Sequence, residues 1–237
     1  MRQLAFGLIL ILWGCGPSNT PAGPTADPTV PGRTPLELPI VPDNLRHDTL
    51  LVQVTLGLSD STYLMVASNR DETFEGLRLY RYRLDADSNA AYLAVSSPAY
   101  DSWTMLPTCF AIDTARPTEA LWVLANFGEK ESWGQKVMLL DHAFMDIGFM
   151  EVALPERVLE DDTLRLKRRN VAPAMRYSEH GDTAVWLFAC DSVFLYDDQE
   201  GRSDQVVHAS QLRYTYEVTE GLALWVNGRK RLVRKPS

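Results

Sequence analysis

Cysteine and histidine are scarce in this chain, at three and four among 237 residues. Three cysteines, Cys15, Cys109 and Cys190, exclude a disulfide-dense scaffold. His47, His142, His180 and His208 stand far apart, so no zinc-type pairing of close ligands occurs. Long apolar runs are missing too. The longest, Leu4–Trp13, has ten residues. As a helix it would rise about 15 Å, roughly half a hydrocarbon core, which is too short to span a bilayer. Basic charge is in deficit: 23 Lys and Arg face 31 Asp and Glu, for a net charge of −8. Binding to nucleic acid rests on neutralising phosphates, so nucleic acid is excluded as a partner.

What the N-terminus does have is the layout of a targeting segment. Arg2 supplies a positive n-region and the ten-residue run an h-region. The run closes as Leu12-Trp13-Gly14-Cys15. This resembles the lipobox of bacterial lipoproteins: an aliphatic residue at −3, a small one at −1, then cysteine. Trp13 at −2 departs from the usual small residue. The resemblance implies that residues 1–14 are removed and that Cys15, alkylated with diacylglycerol, becomes the N-terminus. Each buried CH₂ of its acyl chains would contribute about 0.8 kcal/mol to membrane attachment. Gly16 is not the Asp that retains such proteins in an inner membrane. The resemblance therefore favours the periplasmic face of the outer membrane. An ordinary cleaved signal peptide is the alternative.

Proline is concentrated. Eight of the fourteen prolines fall between Gly16 and Pro42. With few bulky residues to bury, such a stretch reads as an extended tether. Residues 15–42 are therefore expected to link the lipid to one folded domain over residues 43–237.

The domain reads as β. Leu50, Val52, Val54, Leu56 and Leu58 alternate with mostly polar residues, as do Leu212, Tyr214, Tyr216 and Val218. Further strands are expected at 61–67, 75–84, 90–96, 102–112, 119–127 and 134–140. Ala184–Tyr196 reads as one central strand or as a hairpin turning at Asp191-Ser192. Asn227-Gly228 between two strand patterns predicts a type I′ hairpin. Only Pro155–Asp162 looks helical, with Pro in a first-turn position and acids at both ends. The expected fold is an all-β antiparallel sandwich or barrel with at most one short helix. Asp85, Asp141 and Asp197 close strand patterns at intervals of 56 residues. That spacing supports a four-bladed propeller as the alternative.

Several constellations could carry chemistry. Asp85, Asp87 and Asn89 resemble the opening of a calcium loop, though Ala90 and Ser96 break the rest of that pattern; a plain Asx turn is the other reading. Glu179, His180 and Asp182, with Asp191 nearby in sequence, supply the acid, base and orienting groups a hydrolase needs. Neighbouring loop residues seldom meet that geometry, and a solvated turn explains them equally. Asp141-His142 and Asp146 allow the same two readings. Cys109 and Cys190 would pair in an oxidising compartment or lie buried as small hydrophobes. Trp133, in the polar stretch Gly128–Gly134, is the aromatic best placed to touch a ligand. The C-terminal Arg229, Lys230, Arg231, Arg234 and Lys235 would meet lipid headgroups or guard a sheet edge.

Together these features point to a lipid-anchored envelope protein, held at the membrane through Cys15. Its domain is expected to be a non-catalytic binding or envelope-organising module for a glycan, a peptide or another protein. It would need no cofactor unless the Asp85 loop takes calcium. The alternative is a periplasmic hydrolase built on a His/carboxylate pair.

Overall fold

A computed structural model describes residues 29–42, 49–58, 61–70, 76–96, 104–129, 132–160, 162–195 and 205–234. The fold is all-β and antiparallel, as its alternating sequence requires. The first sheet is a meander of β1 (Leu50–Gly57), β2 (Thr62–Asn69), β3 (Arg78–Leu84) and β4 (Ala90–Val95). The second repeats that plan with β5 (Met105–Ala111), β6 (Leu121–Glu129), β7 (Ser132–Leu140) and β8 (Phe144–Met150). The remaining strands are β9 (Val152–Glu160), β10 (Thr163–Arg169), β11 (Met175–His180), β12 (Thr183–Phe188), β13 (Ser192–Leu195), β14 (Gln205–His208), β15 (Leu212–Glu217), β16 (Gly221–Val226) and β17 (Arg229–Arg234). They divide between a third sheet, ordered β10-β9-β13-β14, and a fourth, ordered β11-β12-β15-β16-β17.

The sheets stack as in a sandwich, and the second is the middle layer. On β6, Leu121, Val123, Ala125 and Phe127 pack with Leu64, Val66 and Leu79 of the first sheet. Trp122 and Leu124 point the other way, towards Trp186 and Tyr214 of the fourth sheet and Val152 of the third. Burial on both faces explains why LWVLANF carries so little polarity. Its one polar residue, Asn126, is satisfied on the donor side: its Nδ2 donates to the Leu106 and Leu124 carbonyls and to Thr108 Oγ1.

Three expectations change. Pro155–Asp162 does not form a helix. Residues 152–160 are β9, with Pro155 opposite Arg168 of β10. The pairing of β9 with β13 covers only Val152 and Ala153. From Pro155 outward that flank has no ladder among the described residues, so the missing N–H breaks nothing there. Residues 184–195, the described part of the run 184–196, are neither one strand nor a hairpin. The chain leaves the fourth sheet at Phe188 and enters the third at Ser192. The proline-rich segment is not all tether. Residues 29–42 form a strap across the edges of three sheets. Arg33 and Tyr177 of β11 exchange backbone hydrogen bonds, Leu36 N–H donates to Cys109 O of β5, and Val41 N–H donates to Thr55 O of β1. Leu36 and Leu38 pack on the core between the first two sheets, which is the apolar burial the proline count hid. Residues 1–28, including Cys15, lie outside the described residues. The 56-residue interval has a structural counterpart, since Asp85 and Asp141 both follow the third strand of a meander. Asp197 lies outside the described residues. The type I′ hairpin forms as expected, with Asn227 and Gly228 both at positive φ.

Candidate functional site

The hydrolase candidates do not assemble. Glu179 and His180 are successive residues of β11, so their side chains take opposite faces of the strand. Glu179 accepts from Tyr177 Oη and pairs with Arg33 at 3.6 Å, which binds it to the strap. The Arg33 guanidinium also donates to the Ala111 and Ile112 carbonyls, and lies 5.5 Å from the centre of the Tyr177 ring. Tyr177 is pushed well above the ordinary tyrosine range, first by burial and then by its bond to Glu179. This cluster is a clasp. His180 and Asp182 flank the exposed turn at Gly181, which adopts positive φ. Asp191 sits in the crossover from β12 to β13, where its carbonyl accepts from Ala209 N–H. His142 lies exposed beside Asp141, and Asp146 pairs at 3.1 Å with the buried Lys136.

The Asp85 loop is an Asx turn. Asp85 Oδ1 accepts from the N–H groups of Asp87 and Asn89, at 2.9 and 2.8 Å, and Oδ2 accepts from Asn89 Nδ2. The Asn89 N–H holds the carboxyl below the ordinary aspartate range. Asn89 turns a donor rather than an oxygen towards Asp85, unlike the three converging oxygens of a calcium loop. Among the described residues no three of His, Cys, Asp and Glu are grouped to hold a metal ion.

Cys109 and Cys190 are free thiols. They belong to different cores: Cys109 lies between the first two sheets and Cys190 packs against the cluster around Trp186. Burial pushes Cys109 from 9.0 up to about 12, and burial followed by the Asp191 charge pushes Cys190 up to about 11. A pKa raised by folding stabilises the native state fully below the unfolded value and less as pH climbs through the folded one. The unfolding free energy is therefore expected to fall between pH 9 and 12, with Tyr177 adding to the loss above pH 10. Urea titrations across that range test this, and Cys109→Ala should flatten the first part of the decline.

Trp133 is not in a loop; it is the second residue of β7, opposite Gly128. Trp122 and Trp186 are core, 5.1 Å apart and edge to face. Trp225 is half-buried beneath the cations of Arg213 and Lys230, at 4.6 and 5.7 Å. Lys230 also bonds Glu220, so this base of the C-terminal strand is engaged within its own sheet.

A different surface stands out. Eight strands end the four sheets, and the strap bonds to three of them, β1, β5 and β11. Of the other five, β10 and β17 carry Lys and Arg, β8 carries Asp146, and β14 is only four residues long. Natural edges are blunted in these ways. β4 is not: its sequence is AAYLAV, six residues without charge. Tyr92, Leu93 and Val95 are 44–47 % exposed. A bulge after Arg81 leaves Leu93 unpaired, and sets Tyr92 opposite Tyr82 and Val95 opposite Tyr80. Tyr63, Tyr82 and Tyr92 thus form a row across three strands, with ring centres 5.1 and 6.2 Å apart. Further along the same face of β2 lie Met65 and Ala67, which like Tyr82 are buried.

No family model, no curated protein and no solved structure matches this chain.

The tyrosine row went unread because tyrosine at strand spacing is an ordinary core signal. The signal was nonetheless present, in the alternation of RLYRYRL and in the lack of charge along AAYLAV.

Proposed function

We propose that this protein is a lipid-anchored component of a bacterial envelope whose β-domain is a non-catalytic binding module. Its ligand is an extended segment of another envelope protein, added as a strand along β4. The observation that carries this reading is the uncharged, apolar edge of β4 beside the tyrosine row. Backbone N–H and C=O groups along an open edge supply affinity for an extended chain, and side-chain contacts on one face supply selectivity.

The binding half is tested by a photoreactive phenylalanine analogue at position 93 in growing cells. A discrete adduct to a second polypeptide is expected, absent from a control at Val218 and lost in Tyr92→Lys. An adduct to glycan, to another copy of the chain, or none above the control contradicts it. The anchor is tested by the intact mass of protein recovered from membranes. A chain beginning at an acylated Cys15 is expected, and reduction should add no hydrogens between Cys109 and Cys190. A mass that still includes Met1 refutes the anchor.

A further inference from the structure

The β9–β10 hairpin leaves the third sheet as a two-stranded ribbon, since the β9–β13 ladder stops at Ala153. Its two faces differ. Cross-strand partners share a face. One face holds the pairs Val158–Arg165, Glu156–Lys167 and Leu154–Arg169, with an ion pair of 2.5 Å between Glu156 and Arg169. The other holds Leu159–Leu164, Arg157–Leu166 and Pro155–Arg168, and no acid. On it Leu159 is 68 % exposed, Leu164 63 % and Leu166 44 %. The Arg168 guanidinium lies 4.7 Å from the centre of the Phe194 ring, which seats the base of the ribbon on the third sheet.

A directly opposed, exposed leucine pair on a two-stranded ribbon gains little in water. Arginines stand beside the leucines on this face with no acid paired across from them. Both make sense against one surface, which is apolar just beneath and anionic on top. We infer that this leucine–arginine face lies flat on an anionic phospholipid surface. The leucines reach the boundary between headgroups and acyl chains, and the exposed Arg157 meets phosphates. The sequence joining the two strands, Glu160-Asp161-Asp162, is acidic, which favours docking by the side of the ribbon over docking by its tip. This contact adds to the proposed anchor but does not depend on it.

The test therefore uses the full chain carrying Cys15→Ser, which cannot be lipidated, with vesicles of phosphatidylcholine alone or with phosphatidylglycerol added. Tighter binding to the anionic vesicles is expected, lost at high salt. Arg157→Gln should weaken that binding about fivefold, as one cation near such a surface is worth. Leu159→Ser with Leu164→Ser should weaken it by roughly tenfold or more. The N-terminal apolar run is the same in every variant, so its contribution cancels. Far-ultraviolet circular dichroism confirms that each variant is folded. Folded variants that bind anionic vesicles as tightly as the parent overturn the inference, as does a parent that binds both vesicle types alike. An unlipidated native mass together with hairpin-dependent binding would refute the anchor and leave this contact standing.

Discussion

Trp186→Ala is expected to lower the unfolding free energy by about 3–5 kcal/mol, the range for emptying a large aromatic site. Trp186 is fully buried, meets Trp122 edge to face at 5.1 Å, and lies 5.9 Å from the Tyr177 ring. These rings join the middle sheet to the fourth, so the cavity would open between layers that have no strand pairing to hold them together. Urea unfolding followed by tryptophan emission measures the loss. Trp186→Phe separates packing from hydrogen bonding. The Trp186 Nε1 group is buried without a partner among the described residues. Phenylalanine removes that unsatisfied donor, so its effect should be under half that of alanine. A loss for phenylalanine as large as that for alanine would contradict this account of the site.

Gly32→Val should cost about 2–4 kcal/mol and release the N-terminal half of the strap. Gly32 has φ +126°, a conformation that a β-branched residue resists, and a Cβ there would stand 2.9 Å from the Tyr177 carbonyl oxygen. Neither obstacle can yield easily, since that carbonyl accepts the 2.6 Å hydrogen bond from Arg33 N–H. With this bond go the Arg33 contacts to Ala111, Ile112 and Glu179. Gly57 remains bonded to Pro39 O, which should keep the C-terminal half in place. Amide exchange should then quicken at Leu36 and stay slow at Val41. Uniform protection along the strap would contradict the clasp.

Much of this architecture is legible in the residues. Alternation marks β1 and β15, and Asn227-Gly228 marks its hairpin, because each is local chemistry. Other features were hidden for physical reasons. Pro155 and the acids around it mimic a helix start, and only the short β9–β13 ladder makes that proline harmless in a strand. The run from Ala184 to Tyr196 is apolar except at Asp191-Ser192, and that mark reads as a hairpin turn because nothing local tells a turn from a passage between two sheets. The strap looked like tether because its order comes from backbone bonds to three distant strands, which no local pattern encodes. The candidate site was hidden in the opposite way. Attention to rare residues favoured Trp133, Glu179 and His180, whereas the open surface is marked by the absence of charge on β4.

The proposed strand addition requires that this edge be occupied in cells. Amide exchange across Ala90–Val95 measures this in membranes isolated from cells and in the purified chain. Slower exchange in membranes, abolished by Tyr92→Lys, is the predicted result. Equal exchange in both preparations would contradict a strand added to β4.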